Sequence, residues 1–137
     1  MAVNSQPTGR PRPLSPHLQI YRWPVTMLTS IVHRLTGLAN IAGALLLTAW
    51  LVAAAHGPDT FGMMREVLSS IWGKIVLFGL SASLIYHLLN GIRHLAWDTG
   101  AGLSVPASRT TGYLVIAGTI VLTIGIWAAG YLLKGHS

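Results

Sequence analysis

Cysteine is missing from all 137 residues, and acidic side chains number only three. Without thiols the chain forms no disulfide, holds no thiolate-ligated iron–sulfur cluster and attaches no haem through thioethers. Histidine, present six times, is left as the strong nitrogen ligand for a metal. Charge of either sign is scarce, at 9% of residues, against 52% hydrophobic. With a mean hydropathy of +0.57, that balance excludes an ordinary soluble globule and points to an integral membrane protein. The net charge of +6 raises nucleic acid as a partner. It is rejected, because the basic residues flank apolar runs instead of forming one patch. A cleaved signal is not expected either, since residues 1–22 carry Pro, Arg and polar side chains without an apolar core.

Three uncharged runs remain: residues 35–55, 75–92 and 110–133. The first has 21 residues, about 30 Å as a helix, which matches a hydrocarbon core. The fold class is therefore all-α integral membrane, with spans near residues 30–55, 74–97 and 110–133 forming a domain over 24–137. Ahead of it, residues 1–23 read as a surface segment, because HLQIYRW between Pro16 and Pro24 mixes aromatic, apolar and basic side chains. Pro24 suits the first turn of a helix. Gly57-Pro58-Asp59 is a break. The next stretch, Met63 to Trp72, has helical apolar spacing and reads as an interfacial helix able to run on into the second span. Residues 103–109, with Pro106, read as a connection. Gly118 and Gly125, seven apart, share a face and would admit a close helix; the plainer reading is that Gly is common in membrane helices. Each Trp lies near a span end, where anchoring at headgroup depth is the default. Arg10, Arg12, Arg22, Arg34, Arg93 and Arg109 fall on one side, and Arg65, Lys74 and Lys134 on the other. The positive-inside rule then puts the N-terminus inside and the C-terminus outside.

Polar side chains gather at one end of this scheme. In YHLLNGIRHLAWDTG, residues 86–100, the positions His87, Asn90, Gly91, His94 and Asp98 form one helical stripe. Such groups are costly against lipid, so the stripe faces protein, water or a cofactor. Two readings of His87 stand: a hydrogen bond to a neighbouring helix, or a ligand to a metal or haem iron. His94 lies on the same face of the same helix, so the two cannot hold one haem from opposite sides. His33, on the first span, is the other internal candidate at matching depth but reads as too close to the interface. The opposite ligand is accordingly expected on another chain, within a heteromeric bundle. Arg34 and Arg93 read either as snorkelling cations or as partners for an anion. Ser30, one turn before Arg34, would present a hydroxyl beside a guanidinium to a carbonyl oxygen, although Ser in membrane helices usually bonds its own backbone. Asp98 disfavours a helix C-terminus and is expected to pair with Arg93 or His94, or to cap the end.

SPHLQIY (15–21), SIVHRLTG (30–37) and HLLNGIRHLAWDTG (87–100) together resemble the cytochrome b anchor subunits of succinate dehydrogenase. The resemblance covers the architecture of the whole chain and is specific in two blocks, residues 12–37 and 87–100. It implies that His87 is the axial ligand of haem b, opposed by a residue of a companion anchor subunit. Ser30 and Arg34 match positions lining a quinone site, and His33 matches a residue near the haem propionates. Arg34 and His94 are carried over to the propionate surroundings too, and Arg93 as part of the motif. The implied activity is electron transfer from succinate, through the flavoprotein and iron–sulfur subunits, to a quinone, with ubiquinone expected. The implied location is the bacterial inner membrane rather than the mitochondrial one. On its own the chain would bind no succinate, since it has no flavin fingerprint. The competing readings are a quinol:fumarate reductase anchor, a cofactor-free scaffold, and a small transporter or proton path. Three helices without inverted repeats argue against the last.

Overall fold

Proline and glycine breaks divide the apolar sequence into helices. A computed structural model describes residues 23–135. The surface segment expected over residues 1–22, with Arg10, Arg12 and Arg22, lies outside the described residues. Among the described residues the elements are α1 (Val25–His56), α2 (Pro58–Ser69), α3 (Ile71–Asp98) and α4 (Val105–Lys134), with no strand. The three long helices have 32, 28 and 30 residues and mean hydropathies of 1.9, 1.7 and 1.9. At 1.5 Å per residue they are about 42–48 Å long, enough to cross a hydrocarbon core and enter the headgroups on both sides. The fold is an all-α, multi-pass membrane architecture.

Each boundary has a local cause. Pro24 precedes α1 as its cap rather than joining it, and its carbonyl accepts from the amides of Met27 and Leu28. Gly57, at φ 115°, ends α1 in a conformation that other residues rarely adopt. Pro58 and Asp59 then open α2, the carboxylate favouring the helix dipole. This helix does not run on into the second span. Ser70 is extended, and its Oγ accepts from the Gly73 amide at 3.1 Å, capping α3. A Cβ on Gly73 would collide with the backbone of Val67 and Leu68, so the tight bend requires glycine there. Helix α4 begins earlier than expected, at Val105, because Pro106 fits its first turn.

Helix α3 lies between α1 and α4 and runs antiparallel to both. Arg93, His87 and Ser83 meet Thr29, Thr36 and Asn40 in turn along α1. Arg93 and Ser81 meet Thr111 and Trp127 along α4. Half of the buried set is polar, namely Thr29, Ser83, Asn90, Arg93 and Thr123, and the rest are Ala53, Gly73, Tyr86, Gly112 and Val115. Leu38, Leu45, Leu88 and Val121 are at least 60% exposed. That inversion suits a bilayer, where small and polar residues bring helices together and lipid solvates the leucines.

Two expectations need correction. A Cβ on Gly118 would lie 3.1 Å from Leu89 Cδ1, so this glycine does admit a close neighbour, whereas nothing lies within 4 Å of that point on Gly125. Near Gly125 the Trp127 ring packs edge-on to Phe78 at 5.4 Å and occupies the seam between α3 and α4. The tryptophans divide as well. Trp23 and Trp72 are exposed. Trp50 instead packs on Phe61, and Trp97 lies under the Arg93 guanidinium. Trp127 donates to Ser81 Oγ at 3.3 Å. These three have helix partners, so depth in the membrane does not by itself account for their positions.

Candidate functional site

Helical spacing puts His87, Asn90 and His94 on one face of α3, and that face meets the first half of α1. The His33 ring enters between His87 and His94. Its centroid is 4.0 Å from His87 and 5.1 Å from His94, with planes within 14° and 16° of parallel. Three imidazoles thus form one stack across two helices. His33, expected at a depth matching His87, stacks directly on it across the antiparallel pair of helices.

Hydrogen bonds fix the outer two rings. His94 Nδ1 donates to the Asn90 carbonyl at 2.8 Å, one turn back on α3. His87 Nδ1 lies 3.2 Å from Thr36 Oγ1. The Thr36 hydroxyl already donates its single proton to the His33 carbonyl at 2.9 Å. It therefore accepts from His87, whose Nδ1 carries the proton. His87 Nε2 is left as a lone-pair nitrogen with no hydrogen-bond partner among the described residues. In the middle of the stack, His33 Nδ1 is buried without a partner.

Arg93 is buried, at 6% exposure, and tied to all three long helices. Its Nε donates to Thr111 Oγ1 at 3.0 Å. Nη1 donates to Thr29 Oγ1 and Asn90 Oδ1, and Nη2 to the carbonyl and hydroxyl of Ser108. The guanidinium carbon stands 4.1 Å above the Trp97 ring, a cation–π contact. Neither snorkelling nor pairing with an external anion describes this residue; its donors face the bundle's own oxygens. Tyr86 adds a further tie, its hydroxyl donating to the Thr29 carbonyl at 2.8 Å. Asp98 does not pair as expected. Arg93 and His94 Nδ1 are engaged elsewhere, and Asp98 is exposed at the helix end.

A cavity of about 370 Å³ opens beside this cluster, lined by Thr26, Ser30, Arg93, His94 and Trp97 among others. Ser30 is at its wall. Arg34 is exposed and is not among the lining residues, so the cavity sets Ser30 beside Arg93. Among the described residues no group of three or more His, Asp and Glu is arranged to hold a metal ion by itself. The three rings cannot supply both axial ligands of one haem. A bound metal lies in the plane of each imidazole, and two nearly parallel planes 4.0 Å apart share no such point. His87 Nε2 is the nitrogen of this stack that could serve as one ligand.

Thr29, Thr36, Tyr86, Ser108 and Thr111 escape a reading by charge and histidine alone. Thr36 stands in the SIVHRLTG block and was visible there as motif. The others carry no spacing signal, because Ser and Thr are at home in membrane helices.

With this geometry in view, the chain was compared with known proteins. A family model described as succinate dehydrogenase/fumarate reductase transmembrane subunit matches residues 8–126. The succinate dehydrogenase cytochrome b556 subunit of Paracoccus denitrificans is 47% identical over 113 residues, covering 82% of this chain and 87% of that protein. The subunit of the same name from Rickettsia felis is 36% identical over 127 residues, covering 93% and 99%. The mitochondrial cytochrome b560 subunit of Sus scrofa is 41% identical over 125 residues, covering 88% and 72%.

Proposed function

The chain belongs to the succinate dehydrogenase/fumarate reductase transmembrane subunit family, and on that premise we propose that it is the membrane-anchoring cytochrome b subunit of a succinate dehydrogenase. Its partners are then a second anchor subunit, an iron–sulfur subunit and a flavoprotein. Succinate is oxidised on the flavoprotein, and this chain supplies anchorage, half of a haem site and part of a quinone site. The setting is a bacterial inner membrane with the N-terminus inside. One observation carries the proposal: the two motif blocks, SIVHRLTG and HLLNGIRHLAWDTG, pack against each other through the His33, His87 and His94 rings.

His87 Nε2 would hold the iron of haem b, because its other nitrogen is already committed to Thr36. A bound haem supplies a one-electron centre there. His33, with an unpartnered buried nitrogen, His94 and the exposed Arg34 would surround the propionates. Ser30, at the cavity wall, would donate to a quinone carbonyl, and Arg34, one turn along α1 and outside the cavity lining, would offset from the exposed side the negative charge that a quinone oxygen gains on reduction. The quinone is taken to be ubiquinone. The family description also covers fumarate reductase anchors. The relatives compared above are named for succinate dehydrogenase, which favours that direction.

The test is a reduced-minus-oxidised spectrum of the purified complex. A low-spin b-type signal should be present in wild type and lost in His87→Ala. In parallel, Ser30→Ala and Arg34→Leu should lower quinone reduction by roughly tenfold, the worth of about one charge-assisted hydrogen bond, while succinate oxidation by an artificial dye stays intact. An unaltered b-type signal in His87→Ala removes the ligand assignment. Equal loss of both activities in a fully assembled complex removes the quinone assignment.

A further inference from the structure

Of the last two residues of the SIVHRLTG block, Thr36 has entered so far only as the partner of His87 Nδ1 and Gly37 not at all, yet both touch the His87 ring. Thr36 Oγ1 accepts from Nδ1 at 3.2 Å. A Cβ built on Gly37 would lie 3.3 Å from His87 Cε1 and 3.9 Å from Nδ1. The ring edge between those two atoms is therefore seated on α1, with a hydroxyl at one corner and bare backbone at the other. His33 covers one ring face at 4.0 Å. The edge bearing Nε2 has no hydrogen-bond partner among the described residues.

We propose that Thr36 and Gly37 are positioning residues for the haem ligand: Thr36 fixes the tautomer of His87 and strengthens it as a donor to iron, and Gly37 sets where its ring lies. The proposal rests on the reading of His87 as the axial ligand. Thr36 can serve because its own proton is given to the His33 carbonyl at 2.9 Å. The hydroxyl is thereby an acceptor toward α3, and the tautomer with the proton on Nε2, which could not bind iron, is disfavoured. An N–H held by an acceptor also makes the opposite nitrogen more basic and favours the ferric state. No covalent step is involved.

The experiment uses the assembled complex purified from membranes. It compares Thr36→Val, Thr36→Ser, Gly37→Ala and His87→Ala, and it reads the midpoint potential of the haem, its low-spin EPR spectrum and haem retained per flavin. Valine keeps the shape of threonine and removes the acceptor. Thr36→Val should raise the midpoint potential and weaken haem retention by roughly 10- to 100-fold, the usual penalty for losing a ligand's supporting hydrogen bond. Thr36→Ser should restore both toward wild type. Gly37→Ala should change the EPR spectrum, because the ring must give by a few tenths of an ångström. The proposal fails if Thr36→Val matches wild type in potential and retention while His87→Ala loses the haem. It also fails if Thr36→Ser is as altered as Thr36→Val, because the γ-methyl rather than the hydroxyl would then be responsible. If His87→Ala keeps the wild-type b-type signal, the ligand reading itself has failed and this inference goes with it. Should Thr36→Val not assemble, Gly37→Ala decides: a wild-type EPR spectrum there overturns the proposal.

Discussion

The two ends of the bundle are built on different principles. At the end holding the start of α1 and the close of α3, imidazole, guanidinium, hydroxyl and amide groups interlock in fixed register. Toward the other end, α1, α2 and α3 enclose an apolar groove of about 600 Å³ lined chiefly by leucine, with Trp50, Asn40 and Ser81. Hydrogen bonds are directional, and a polar group left unpaired in a bilayer is costly, so the first end admits one arrangement. Dispersion between leucines and lipid is non-directional, so the second end admits many. The larger cavity is thus not the place to look for chemistry. The smaller one, with Ser30, Arg93 and His94 on its wall, lies at the end where geometry is fixed.

The sharpest way to break the contrast is to remove Arg93. Its five donor–acceptor pairs join α1, α3 and α4. Four of these bonds are interhelical, the Asn90 pair lying within α3; at an average of about 0.6 kcal/mol each, Arg93→Ala should cost about 2.4 kcal/mol, plus the lost contact with Trp97. Thermal unfolding of the detergent-solubilised complex measures this. Loss of less than about 1 kcal/mol would show that the polar end is held by its partners rather than by its own network.

A smaller effect is expected one step along the same seam. Ser83 is buried, and its Oγ is within 2.9 Å of Asn40 Oδ1 and 3.2 Å of the Thr36 carbonyl. It marks the boundary between the two ends. Ser83→Ala should cost about 0.6–1 kcal/mol in the same melt, since one shared hydroxyl proton is lost and Asn40 Oδ1 loses a donor. The haem spectrum should not change, because His87 is held by Thr36 and not by Ser83. A shifted spectrum would extend the fixed region further down the bundle than the hydrogen bonds indicate.

Most of the fold was legible in the sequence, and so was part of the site. Uncharged runs and Gly57-Pro58 located the helices, because membrane spans obey length and charge rules that a single sequence displays; Pro106, read as part of a connection, instead opens α4. Stripe logic turned His87, Asn90 and His94 toward protein, water or a cofactor, and the structure sets His87 and His94 against His33 of α1. The insertion of His33 between His87 and His94 was not legible, because distance along one helix says nothing of the register of the helix beside it. The place of Arg93 was also beyond reach. Five acceptors surround it, from Thr29, Asn90, Ser108 and Thr111, and three of those residues belong to other helices. Only folding brings them together. The split between Gly118 and Gly125 has the same cause: equal spacing on α4 meets Leu89 in one case and open space in the other.

The smallest effect is expected at the apolar end, and it is the most informative about what surrounds the chain there. Leu84 lines the groove and is 62% exposed. A leucine buried in a protein core costs about 2–5 kcal/mol when cut to alanine, through lost transfer energy and a cavity that cannot collapse. Neither term applies where lipid is the neighbour, because acyl chains are as apolar as leucine and flow into the space. Leu84→Ala should therefore change the stability of the assembled complex by no more than about 0.5 kcal/mol. A loss of 2 kcal/mol or more in the same melt would mean that a rigid side chain of another subunit packs on Leu84. The apolar end would then be as specific as the polar one, with its specificity written in the partner rather than in this chain.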